Sequence, residues 1–503
     1  MCRHFEGDSQ VDWMLTQFTM RFVLSAFALL SMIAAPSSAQ QAWSPEPWIK
    51  DLSQAQQAFK TKYANIDWLE KDRGILLSSV FDRAAARLRL ARSDADARAV
   101  FDRLTKSFND GHVSITWPRR AEASTPVGQA QTPSKSVCAE MGFDASRSSV
   151  GIGPSLAGYQ PLLDESPFPA GIVNVGQRKI GVIRIGVFEP SGSPQICADA
   201  LSQLHIPQEQ PCDDKCQDAI LAWSYNKFTS ALEDTVRALK SAGATSLLVD
   251  ISGNGGGSEW AEAAARIMTP RQILSAKRGF VRGSHWASQW KELAAQLKTA
   301  ASDASGPEQT RLLSWASAAD SARVDAEQSC PPSGHCALVG QADYATGLVG
   351  RARSGEFNGK PWADFIFSIA QFPYHDGVWS GPLVVLVDNE TWSAAEEFAA
   401  LLQDNRAAVI IGSRTGGAGC GHTNGGTPTI LTHSGATLEM PDCVRFRADG
   451  SNEVNGVIPD VLVGIRTNDS ASFKARLVGS RLVEAVRRAE RTYPKNGHSS
   501  RTY

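Results

Sequence analysis

One stretch constrains this chain more than any other: residues 381–419, GPLVVLVDNETWSAAEEFAALLQDNRAAVIIGSRTGGAG. Residues 382–387 are an unbroken apolar run rich in β-branched side chains, the pattern of a strand covered on both faces of a parallel sheet. Asp388, Asn389 and Glu390 supply turn and cap chemistry. From Ser393 the apolar residues Ala394, Ala395, Phe398, Leu401 and Leu402 recur at helical spacing up to Asp404, and residues 407–411 read as the next strand. A chain built this way belongs to an α/β class. It puts Ser393 where a strand hands over to a helix, close to free backbone N–H groups and the positive end of the helix dipole, which favour a developing oxyanion. The same letters, Ser393-Ala394-Ala395-Glu396, are also a capping box ahead of an apolar run, which needs no chemistry.

The 503 residues are 42% hydrophobic and 20% charged, a globular composition with room for roughly two or three domains. A net charge of -2, from 50 Lys+Arg against 52 Asp+Glu, gives no reason to expect nucleic acid or an anionic membrane as partner. Small molecules or peptides fit better. Residues 20–40, MRFVLSAFALLSMIAAPSSAQ, combine basic Arg21, an apolar run over 22–35 and small residues before Gln40. This predicts a secretory signal cleaved after Ala39, too short to serve as a membrane span. The mature protein is then exported, periplasmic or secreted, without stable membrane insertion, and residues 1–39 stand outside the fold.

Of the nine cysteines, Cys2 falls in that excluded segment, and the even remainder in an exported chain predicts disulfides. The economical pairs are Cys212–Cys216, Cys330–Cys336 and Cys420–Cys443, leaving Cys138–Cys197. Zinc held by Cys212, Cys216, Cys330 and Cys336 with His335 is the alternative, but neither spacing is that of a usual zinc knuckle and an oxidising compartment argues against it. No metal or cofactor is expected.

Along the chain, residues 40–110 form a helical module, with Leu77, Val80, Phe81, Ala84 and Leu88 in register. It ends in an Asn109-Asp110-Gly111 turn that holds His112 at a turn-to-strand junction. Residues 111–178 read as linker and short strands. The α/β core is expected over 179–269 and 381–470, with a long amphipathic helix over 212–243. A strand over 246–251 runs into Ser252-Gly253-Asn254-Gly255-Gly256-Gly257 and then a helix, a βα unit whose loop brings backbone N–H groups near a ligand. Neither nucleotide-binding glycine pattern is complete here, which leaves an oxyanion donor as the other use. Residues 270–380 read as a helical insertion carrying Trp286, Trp290, Trp315, Trp362 and Trp379, a lid, a substrate lining or a packed decoration. Residues 471–503 are a terminal helix and tail.

A Gly-His pair after a helical module, a strand ending in Asn-Gly-Gly-Gly, a strand-turn-helix with Ser-Ala-Ala-Glu, and then Glu453-Val-Asn-Gly-Val-Ile-Pro-Asp460 stand in a fixed order. In that order they resemble the C-terminal processing (tail-specific) serine peptidase family. The resemblance implies a crotonase-like (ClpP/crotonase) core, with Ser393 as nucleophile and the backbone N–H groups of Ala394 and Gly256 as oxyanion hole. One branch of that family uses a serine-lysine dyad. Its lysine position is Ala418 here, and no lysine occurs between Lys360 and Lys474. The tricorn-core-like branch uses histidine and glutamate, which His112 and Glu453 match; the serine preceding the histidine in that branch is Gly111 here. His422, in the glycine-rich loop, is the other candidate base.

Together with the leader, the resemblance implies an exported serine-type endopeptidase that cleaves peptide or unfolded protein through an acyl-enzyme. Serine needs an adjacent base, which a neutral imidazole supplies near pH 7, and a carboxylate orients that imidazole. Residues 119–178 are too short for the usual PDZ-like domain, so tail recognition is not expected. A non-catalytic ligand-binding protein on the same fold, or an esterase with the same residues, are the other readings.

Overall fold

The computed structural model describes residues 43–118, 136–208, 211–328, 339–421 and 428–493. The proposed leader, the Cys330–Cys336 pair, His335 and His422 lie outside the described residues. In chain order the strands are β1 (Ser114–Thr116), β2 (Tyr159–Leu163), β3 (Ala170–Val175), β4 (Arg178–Arg184), β5 (Ser246–Asp250), β6 (Lys277–Val281), β7 (Val339–Tyr344), β8 (Leu383–Val387), β9 (Val409–Gly412), β10 (Thr429–Ile430), β11 (Thr437–Glu439), β12 (Cys443–Phe446) and β13 (Val461–Leu462). The α-helices are α1 (Glu46–Lys62), α2 (Leu77–Leu88), α3 (Asp94–Ser107), α4 (Val137–Glu140), α5 (Pro194–Gln203), α6 (Asp214–Ser241), α7 (Trp260–Ile267), α8 (Ser284–Ser302), α9 (Gly306–Glu327), α10 (Ala363–Ile366), α11 (Ala394–Asp404) and α12 (Ala471–Thr492).

The unbroken apolar runs become strands covered on both faces. In β8, Leu383, Val385 and Val387 point into a core shared with α6, α7 and α11, whereas Val384 and Leu386 pack with α12 on the other side. This is the period of two expected of a strand. β5 divides the same way, Leu247 and Val249 against Leu248. Together they form a seven-stranded sheet of order β13-β9-β8-β5-β4-β3-β2. The pairings from β13 through β4 are parallel, and β3 and β2 continue the sheet antiparallel. Residues 159–175, read from sequence as short strands outside the core, therefore belong to the central sheet. Pro161 and Gly171 interrupt their apolar pattern and hid that membership.

Helices α1 to α3 pack around Phe59, Phe81, Phe101 and Phe108. The same cluster takes in Val113, Leu438 and Val454, so the helical module is built onto the segments that carry His112 and Glu453. The insertion contains the expected helix pair α8 and α9 and, in addition, strands β6 and β7, which pair with β12 in an antiparallel three-stranded sheet. Lys277, Arg278 and Gly279 disguise β6 in the sequence. Disulfides join Cys138 to Cys197, Cys212 to Cys216 and Cys420 to Cys443, the pairings expected for those six residues. Among the described residues no helix is long and apolar enough to cross a membrane, and no group of three or more His, Cys, Asp or Glu side chains is placed to hold a metal.

Candidate active site

β5 and β8 are neighbours and parallel, so the turns that follow them lie side by side at their C-terminal ends, where open α/β sheets place their ligands. The two turns are tied together. Gly253 N–H donates to Asp388 Oδ1 at 2.8 Å, Thr391 Oγ1 to the Ile251 carbonyl at 3.1 Å, and Trp392 N–H to the Asn254 carbonyl at 3.0 Å. Ser393, the residue before α11, has φ 53° and ψ -121°. Only an over-determined surrounding keeps a non-glycine residue there, and such residues gather at functional sites.

The Ser393 hydroxyl lies 3.2 Å from His112 Nε2. On the far side of the ring, Nδ1 is 3.0 Å from the Ala418 carbonyl. A carbonyl only accepts, so Nδ1 carries a proton, and in the neutral ring Nε2 then keeps its lone pair facing the hydroxyl. His112 is held from behind as well. Its own N–H donates to Asp110 Oδ1 at 3.0 Å, and Asp110 Oδ2 accepts from Tyr63 Oη at 3.0 Å and Asn65 Nδ2 at 2.9 Å. Burial pushes the Asp110 carboxyl up to about 6, against those three hydrogen bonds.

Glu396 links nucleophile and base. Its carboxylate accepts from Ser393 N–H at 3.1 Å, Thr415 Oγ1 at 2.6 Å, Gly417 N–H at 2.7 Å and Ala418 N–H at 2.7 Å. The capping-box glutamate thus reaches beyond its helix to the loop whose carbonyl orients His112. Burial raises its pKa, which the hydrogen bonds oppose.

Glu453 is buried near the site, but the structure does not place it on Nδ1. Its bonds run to Arg445: Oε1 accepts from Nη2 at 2.7 Å and Oε2 from Nε at 3.1 Å. The acceptor that orients the imidazole is a backbone carbonyl, a role no side-chain motif can announce. Of the two N–H groups assigned from sequence to an oxyanion hole, Ala394 N–H opens α11 and so has no carbonyl one turn earlier within the helix. Gly256 N–H donates to Asn254 Oδ1 at 2.8 Å. Gly256 nevertheless lies directly over the serine: at its φ of 115°, a Cβ there would fall 2.8 Å from Ser393 Cβ and 3.1 Å from Ala394 N. The structure therefore brings Ser393, His112, Ala394 and Gly256 to one place, with Glu453 behind them. Sequence reasoning missed Ala418, Asp110 and Arg445; the only signal for Arg445 was a lone charge in the short run Cys443-Val444-Arg445-Phe446.

A strained serine heading a helix, with an imidazole nitrogen on its hydroxyl, has the form of a serine-hydrolase site. The family model of peptidase family S41 matches residues 179–463, more than half of the chain, and the protein belongs to that family of serine-type peptidases. The fold is that of solved members. Mature CPAF superposes with a TM-score of 0.57 at 15% identity, covering 89% of this chain and 98% of that one. CPAF complexed with lactacystin gives 0.53 at 14% identity, covering 89% and 98%. No curated protein matches the chain.

Proposed function

We propose that this peptidase is an exported endopeptidase that hydrolyses peptide bonds of peptides or unfolded polypeptide through an acyl-enzyme on Ser393. The observation that carries the reading is the 3.2 Å separation of Ser393 Oγ and His112 Nε2, with Nδ1 committed to the Ala418 carbonyl. Ser393 Oγ attacks the scissile carbonyl carbon while its proton passes to Nε2. The oxyanion that forms takes the N–H of Ala394, and that of Gly256 once its bond to Asn254 is exchanged for the substrate oxygen; one such donor contributes about 100- to 1000-fold in rate. His112 then returns the proton to the leaving amine, and water repeats the sequence on the acyl-enzyme.

Glu453 serves in this mechanism as the supporting carboxylate that stabilises the imidazolium at one remove, since the tautomer is already set by Ala418. Three disulfides, and the leader read from residues 20–40, support an oxidising, extracytoplasmic setting. The test is turnover of a peptide library by wild type and by Ser393→Ala: the variant should fold and lose turnover. Equal turnover by both proteins would remove Ser393 from the mechanism.

A further inference from the structure

Burying a guanidinium costs several kcal/mol unless its donors are met, and each nitrogen of Arg445, 8% exposed, finds an acceptor at or beside the proposed site. Nη2 donates to Glu453 Oε1 at 2.7 Å, to the Gly419 carbonyl at 3.0 Å and to the carbonyl of Ser393 itself at 3.4 Å. Nε reaches Glu453 Oε2 at 3.1 Å, and Nη1 reaches Glu397 Oε2 at 3.2 Å. One planar fork thereby touches the nucleophile's main chain, the supporting carboxylate, and the residue next to Ala418, whose carbonyl holds His112. Resting on the reading of Ser393, His112 and Glu453 given above, we infer that Arg445 is a positioning residue that fixes the nucleophile relative to its base and to the carboxylate behind them.

The charged groups around it come from several elements. Glu396 and Glu397 lie on α11, Glu453 on the turn before β13, Glu262 and Glu259 act on Glu397 from α7 and its N-terminal flank, and Arg447 acts from beyond β12. Burial already pushes Glu397 up to about 8 against the pull of Arg445. A purely structural arginine would alter how much protein folds. A positioning arginine also alters what each folded site does, because a misplacement on the order of 1 Å costs about 100-fold in rate.

The experiment compares Arg445→Met and Arg445→Lys with wild type, counting sites by labelling to completion with a fluorophosphonate. Per labelled site, Arg445→Met should lose about 100-fold in kcat with KM nearly unchanged. The acid limb of its kcat/KM profile, which reports protonation of the base, should move to higher pH, since removing a nearby cation makes the site easier to protonate. Arg445→Lys keeps the charge and loses the fork, so its limb should stay near that of wild type while kcat remains depressed. Wild-type kcat and an unmoved limb in Arg445→Met, or full kcat in Arg445→Lys, would overturn the inference. If Arg445→Met does not fold, the Lys variant alone decides between a depressed and a full kcat. Failure of the underlying reading is a separate result: wild type and Ser393→Ala would then turn over alike.

Discussion

The indole of Trp392 occupies the space that a side chain on Gly111 would need: a Cβ built there falls 2.5 Å from two carbons of the ring. Trp392 immediately precedes the proposed nucleophile and Gly111 the proposed base, so the contact sets the spacing between them.

Gly111→Ser should therefore force the ring or the turn aside. Overpacking of this kind costs about 1–3 kcal/mol, read as a lower denaturation midpoint. Peptide turnover should fall by about 100-fold if the shift reaches the order of 1 Å. An unchanged midpoint and rate would show that Trp392 moves away freely.

Glu453→Gln tests how the imidazole is held. Since the Ala418 carbonyl already accepts from Nδ1–H, loss of the carboxylate should cost less than the roughly 10,000-fold expected where a carboxylate alone sets the tautomer. Comparison of kcat for Glu453→Gln and His112→Ala separates the cases, with the histidine variant much the slower.

Asp110 should leave a mark on stability against pH. Its folded pKa, about 6, lies above the ordinary 3.8. The native state therefore binds more protons than the unfolded chain between those values, and the contribution of Asp110 to stability is fully present below pH 3.8 and lost as pH rises through about 6. Asp343 titrates in the same window, so the measurement is the difference between wild type and Asp110→Asn by urea denaturation. That difference should shrink from about pH 4 to pH 6 and then stay level. A flat difference would contradict the burial of an ionisable Asp110.

The Cys420–Cys443 disulfide closes a 23-residue separation beside the site. Gly421 packs against the His112 ring, where a Cβ would stand 3.2 Å from Nε2. Replacing both cysteines by alanine should lower stability by about 3 kcal/mol on the chain-entropy model. Activity per folded molecule should also fall, checked by turnover below the new midpoint; full activity there would make the bond a remote staple.

Much of this was legible in the sequence because it followed periodicity. The apolar run of residues 382–387, the helix after Ser393 and the glycine loop of residues 252–257 each have a local pattern, and each sits where that pattern places it. β6 and β7 were not legible, since their partner β12 lies far along the chain and Lys277, Arg278, Gly279, Gly340 and Asp343 break up their apolar pattern. The same limit applies to the site. Ser393 and His112 are marked by motifs, but the Ala418 carbonyl has no side-chain signature and Arg445 acquires its meaning only when three other segments converge on it.

The central claim is that His112 activates the Ser393 hydroxyl, and the rate of fluorophosphonate capture at Ser393, located by peptide mass spectrometry, tests it most directly. The account predicts rapid modification confined to Ser393 in the wild-type protein and a collapse of that rate in a folded His112→Ala variant. Equal rates in the two proteins, or modification at another serine, would contradict it.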